Sequence, residues 1–210
     1  MSSFKLPWSF AGPWYGQYPK LDNDRVYSQL RFSLKYGLSL ASCSLPMLDD
    51  MTDAYRDALY AFMTENHLHY APHVGFNFFG ATDDEARKKT EQIVTSLHRH
   101  KRFFEGAICK TGASAGHRFD RVATVEAKME KLSKTMGPLA AECARMGLPL
   151  GVENHGDFYV SDLVALIQQT PGLGLFLDTG NCYLIGESCL PAFEAGAPYI
   201  IGTHFKDHFV

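Results

Sequence analysis

Nowhere does the sequence hold the ~18 consecutive apolar residues that a transmembrane helix needs, so no membrane partner is expected. Nor is there an excess of positive charge. Twenty Lys and Arg against 23 Asp and Glu give a net charge of −3, and the sequence pI is about 6.3. That balance leaves no electrostatic footprint for nucleic acid, which is excluded as a partner. The cysteines (Cys43, Cys109, Cys143, Cys182 and Cys189) are odd in number and show no C-x-x-C spacing. Reduced, packed thiols in a cytoplasmic protein are therefore expected rather than a disulfide framework. The opening stretch, MSSFKLPWSFAGPW, is apolar but carries two prolines and lacks a basic segment followed by an apolar one. It does not read as a signal peptide. A Gly-rich phosphate loop is also missing, since KTGASAG (residues 110–116) matches neither G-x-G-x-x-G nor the P-loop pattern. No linker or low-complexity tract interrupts the chain.

What is present is an ordinary globular composition, 46% hydrophobic and 20% charged over 210 residues, enough for a substantial core. Helical spacing covers residues 23–37, 52–67, 82–101 and 121–147, the last with Pro138 as a kink or break. Shorter helical segments are expected at 161–169 and near 190–195. Between them lie short apolar runs that read as strands: 38–45, 68–74, 103–109, 148–153, 173–178 and 199–204. Strand and helix in alternation argue for a parallel sheet covered by helices. Either a doubly wound sheet or a (β/α)₈ barrel satisfies that pattern.

Three of these runs end on a metal-ligating residue. LPLGVE ends on Glu153, LGLFLD on Asp178 and YIIGTH on His204, with steps of 25 and 26 residues. Each step is about one compact strand–helix unit, so the strands should be neighbours and the three side chains should meet at their C-terminal ends. Polar turns after strands explain each residue singly, but not why all three are ligand types. Glu, Asp and His together suit a divalent cation such as Mn²⁺, Mg²⁺, Co²⁺ or Zn²⁺.

GVENHGDF (151–158), LFLDTGN (175–181) and THFKD (203–207) resemble the motifs of the xylose isomerase-like TIM barrel superfamily, the sugar (phosphate) isomerases and epimerases. The likeness follows the strand–helix order of the whole chain. It implies an α/β fold, a (β/α)₈ TIM barrel forming a single domain over residues 1–210, here with about seven of its eight strands. At a mean step of roughly 32 residues an eighth strand would end near residue ~235, so the domain is expected to be incomplete at the C-terminus. In that superfamily Glu, Asp, His and a second Glu hold the metal. Glu153, Asp178 and His204 match the first three, and nothing clearly matches the fourth.

The resemblance further implies proton transfer through an enediolate, with Glu153 as the catalytic base and a small sugar or polyol as substrate. His73, Lys110, His155, Asn181 and Lys206 sit at or just past strand ends, where they would contact it. Lys206 would enter the pocket or brace Asp207, and His155 would touch substrate or orient Glu153. Asn181 stands where many relatives carry His, which argues against a multi-zinc endonuclease. Trp14, Phe76, Phe78 and Phe79 are candidate apolar walls, and His67, His98 and His100 are expected on the surface. Two alternatives remain open: a lyase of the same superfamily (an inosose dehydratase or C-glycoside-cleaving subunit), and a non-catalytic incomplete barrel. Open strand edges would favour association of copies into a homo-oligomer.

Overall fold

A computed structural model of the chain describes residues 9–10, as backbone, and residues 20–206. The chain divides into two compact units, Met1–His73 with Arg99–Ala107, and Val74–His98 with Ile108–Val210.

In the first unit β1 (Ser9–Phe10), β2 (Leu40–Ser44) and β3 (His69–Val74) run parallel, with Ser9 opposite Leu40 and Leu40 opposite His69. The helices between them are α1 (Arg25–Lys35), α2 (Leu45–Asp49) and α3 (Asp53–Glu65). Asp24 caps α1 by accepting from the amides of Val26 and Tyr27, and Thr52 caps α3 through Tyr55 N. Leu30, Leu48, Leu59, Met63 and Phe103 fill the core of this unit. His100 belongs to that interior and not to the surface. It is 1% exposed, with Nε2 2.9 Å from Asp49 Oδ1, whereas His67 and His98 are exposed as expected. The expected strand at 103–109 starts late. Lys101–Phe103 forms a 3₁₀ turn, Gly106 takes φ +66°, and the strand begins only at Cys109. Phe103 and Phe104 are apolar because they are buried in this turn, which the sequence pattern cannot separate from a strand.

The second unit holds α4 (Asp83–His100, two residues of which fall outside it), β4 (Cys109–Gly112), α5 (Val125–Arg145), β5 (Leu150–Glu153) and α6 (Val160–Gln168). It continues with β6 (Leu173–Asp178), α7 (Thr179–Leu184), α8 (Cys189–Gly196) and β7 (Ile200–His204). Strands β4 to β7 pair in parallel in chain order. Every residue of β5 and β6 is buried, as expected for parallel strands with both faces covered. Helix α5 runs through Pro138 without a break. Gly137 precedes the proline, so the ring meets no Cβ on the residue it crowds most. Helix α7, absent from the sequence reading, follows directly on Asp178.

Two devices turn the inner face of β4–β7 into a site. Glycines make room for large neighbours. A Cβ on Gly202 would collide with Ile108 Cδ1 and lie 2.8 Å from the Phe176 ring, and one on Gly174 would lie 2.8 Å from Ile201. The second device is a slip in register between β6 and β7: Leu175 faces Ile200 but Phe176 faces Gly202, leaving Ile201 as an extra residue. A one-residue slip reverses the alternation of every later side chain. It brings His204 level with Asp178 on the same face, where regular pairing from Ile200 would turn it away.

Among the described residues no helix is long and apolar enough to cross a membrane. None of the five cysteines is in a disulfide, and four of them are buried.

Candidate metal centre

Glu153 closes β5, Asp178 closes β6 and His204 closes β7, and their side chains converge. His204 Nδ1 lies 2.9 Å from Glu153 Oε1 and 3.3 Å from Asp178 Oδ2. One ligand atom from each residue falls within 4.8 Å of the other two. A divalent cation held at about 2.0–2.3 Å spaces adjacent ligand atoms by about 2.9–3.4 Å, so the donor set fits such an ion in kind, and the two distances from His204 fit it in spacing. Phe176, two residues before Asp178, forms the floor. Its ring meets the His204 imidazole edge to face, with centroids 4.7 Å apart.

The Asp178 carboxylate has little freedom. Its Oδ1 accepts from the amides of Gly180 (3.0 Å) and Asn181 (3.1 Å), capping α7 and leaving Oδ2 to face His204. The backbone of Asp178 is clamped as well. Asn154 Oδ1 accepts from Asp178 N at 2.7 Å, and Asn154 Nδ2 donates to Asp178 O at 3.0 Å. Asn181 Nδ2 closes the circuit by donating to Asn154 O at 2.8 Å. Asn154, fully buried, is the positioning residue that the sequence reading missed. Its place directly after a ligand in ENHG was the only signal. The reading of Asn181 as a substrate contact meets a different placement: its side chain is 96% buried by residue exposure of 4% and is engaged in this circuit.

Two ammonium groups balance the two carboxylates. Lys110 Nζ donates to Glu153 Oε2 at 2.9 Å, and Lys206 Nζ lies 2.5 Å from Asp178 Oδ2 and 3.3 Å from Asn181 Oδ1. Lys110 sits within β4 and not at its end, since the strand continues to Gly112. Burial alone would raise the pKa of Glu153, but the His204 contact and Lys110 outweigh it and hold the group below the usual range. Asp178 follows the same pattern, burial being overcome by His204 and Lys206, and is held well below the ordinary carboxylate value. For His204, burial favours the neutral ring, yet Asp178 and Glu153 together push its pKa up. A metal ligand must be the neutral imidazole, so proton and cation compete at His204.

His155 is exposed, and its backbone amide donates to Asp157 Oδ1 at 3.4 Å. Asp157 is buried, which raises its pKa, and its other oxygen accepts from Ala115 N in the loop after β4. His73 lies half-buried on β3, in the first unit. Phe78 is fully buried core, while Phe76 and Phe79 are half-buried. Trp14 and Asp207 lie outside the described residues.

A family model described as Xylose isomerase-like TIM barrel matches residues 33–210. No curated protein sequence matches the chain. Among solved structures, D-psicose 3-epimerase from Clostridium cellulolyticum H10, solved with D-tagatose, aligns with a TM-score of 0.71 at 14% identity. That alignment covers 86% of this chain and 67% of the epimerase. The 3-keto-D-glucoside 4-epimerase of E. coli gives 0.69 at 13% identity, covering 90% and 77% of the two chains. The probable 3-DHS dehydratase AsbF of Bacillus anthracis gives 0.65 at 14%, covering 90% and 70%.

Proposed function

The chain belongs to the xylose isomerase-like TIM barrel family, and from that premise we propose a divalent-metal-dependent isomerase or epimerase acting on a sugar or sugar derivative. The observation that carries this reading is the convergence of Glu153 Oε1, Asp178 Oδ2 and His204 Nδ1 at strand ends. When bound, the cation supplies a Lewis acid that polarises a carbonyl and acidifies the neighbouring C–H. Glu153 takes that proton as general base. Its environment keeps it ionised at neutral pH, which is the form a base needs. Lys110 steadies the carboxylate through Oε2, and its ammonium would also favour the charge that builds up as the enediolate forms. Asp178 and His204 complete the ligand set, and Asn154 fixes where Asp178 points.

Among the described residues none is assigned to the opposite face of the enediolate, so the reading commits to the first half of the reaction. A lyase shares that half and then expels a hydroxyl group. The test is NMR of ketoses, D-psicose, D-tagatose and D-fructose among them, incubated with the chain and Mn²⁺ in D₂O. Deuterium is expected at the carbon next to the carbonyl, with no loss of water from the sugar, and EDTA is expected to stop it. Exchange that survives EDTA would contradict the metal role, and dehydration in place of exchange would support the lyase.

A further inference from the structure

The charges of the centre point to a substrate class. Over the described residues Glu153 and Asp178 carry two negative charges and Lys110 and Lys206 two positive ones, each lysine paired with one carboxylate. The two lysines differ in which oxygen they hold. Lys110 binds Glu153 Oε2, the oxygen that does not face His204, so a cation at Oε1 leaves that pair intact. Lys206 binds Asp178 Oδ2, the same oxygen that faces His204. Asp178 Oδ1 is the less available oxygen, because the amides of Gly180 and Asn181 already donate to it. A divalent cation at Oδ2 therefore competes with the Lys206 ammonium for that oxygen, and its arrival adds two positive charges to the local sum. One more carboxylate ligand would still leave the sum positive.

Once displaced, the Lys206 head stays at the mouth. Its backbone amide donates to Thr179 Oγ1 at 3.1 Å, and Asn181 Oδ1 lies 3.3 Å from Nζ. A neutral sugar would leave the surplus charge unbalanced and this ammonium with only the uncharged Asn181 Oδ1 as its partner.

We propose that the centre takes a sugar bearing an anionic group, a carboxylate or a phosphate, and that Lys206 receives it. This rests on the reading of Glu153, Asp178 and His204 as a cation site. Because the Lys206 side chain is 42% exposed, the preference should be moderate and should shrink with salt.

Calorimetry tests both layers. Mn²⁺ is titrated first into the wild-type chain and into Lys206→Met, then D-fructose, D-fructose 6-phosphate, 2-keto-D-gluconate and inorganic phosphate into the Mn²⁺-loaded proteins. Lys206→Met is expected to bind Mn²⁺ more tightly, since its competitor for Asp178 Oδ2 is gone. On the wild type, at least one sugar anion is expected to bind roughly tenfold or more tighter than D-fructose. That preference should be lost in Lys206→Met and kept in Lys206→Arg. The phosphate and carboxylate sugars separate the two sources of charge. The inference is overturned if D-fructose binds as well as both anions, if the preference survives in Lys206→Met, or if inorganic phosphate alone matches the sugars. Failure of the wild type to take up Mn²⁺ would overturn the cation site itself, and is distinct from uptake without an anion preference.

Discussion

Glu153→Gln is expected to stop deuterium incorporation into substrate, a loss on the order of 10²–10⁴-fold for removal of a general base. The substitution is nearly isosteric but not electrostatically equivalent. The carboxylate faces His204 with Oε1 and accepts from Lys110 with Oε2, and an amide has only one oxygen to offer. Its NH₂ group must then face either the imidazole or the ammonium. At a residue only 6% exposed, one mismatched polar contact costs about 1–3 kcal/mol, so the melting temperature should fall as well. Mn²⁺ binding should weaken without vanishing, because Asp178 and His204 remain. Exchange measured by NMR at the wild-type rate in Glu153→Gln would remove this residue from the role of base.

Asn154→Ala should be the most damaging change outside the three candidate ligands. Truncation leaves the buried N–H and C=O of Asp178 without the partners now at 2.7 and 3.0 Å. The carbonyl keeps Cys182 Sγ at 3.8 Å and its place as the cap of α7, so the one orphaned group is the N–H, and a loss of about 1–3 kcal/mol in unfolding free energy is expected. The consequence reaches the centre, since the same clamp sets the direction of the Asp178 carboxylate. Urea unfolding and Mn²⁺ titration of one preparation should therefore shift together. Asn154→Asp makes a sharper comparison: its carboxylate can accept from Asp178 N but cannot donate to Asp178 O. If Asn154→Ala lost stability while Mn²⁺ affinity stayed at the wild-type level, Asn154 would be a structural residue without a positioning role.

The contrast between ligands and supports shows what the sequence makes legible. Glu153, Asp178 and His204 each terminate an apolar run, and the 25- and 26-residue steps carry the repeat of the fold, so their meeting follows from one-dimensional information. What turns His204 inward does not. The slip at Ile201 depends on how β7 packs against β6, and regular alternation from Ile200 gives the opposite face. Asn154 and Asn181 are opaque for a similar reason, because an amide's role is set by the backbone groups it meets across strands. Helix α7 is hidden because Asp178 serves at once as strand end, helix cap and candidate ligand. His100 looked like a surface residue because helical position alone does not reveal Asp49, a partner 51 residues away. Pro138 does not break α5, because the glycine before it eases the crowding that a proline brings into a helix.

The most direct test of the account is anomalous diffraction from crystals of the chain grown with Mn²⁺. The account predicts one strong peak at the C-terminal ends of β5, β6 and β7, about 2.0–2.4 Å from Glu153 Oε1, Asp178 Oδ2 and His204 Nδ1, with Lys206 Nζ withdrawn from Asp178. A peak elsewhere, or none while Lys206 remains on Asp178 at saturating Mn²⁺, would contradict it.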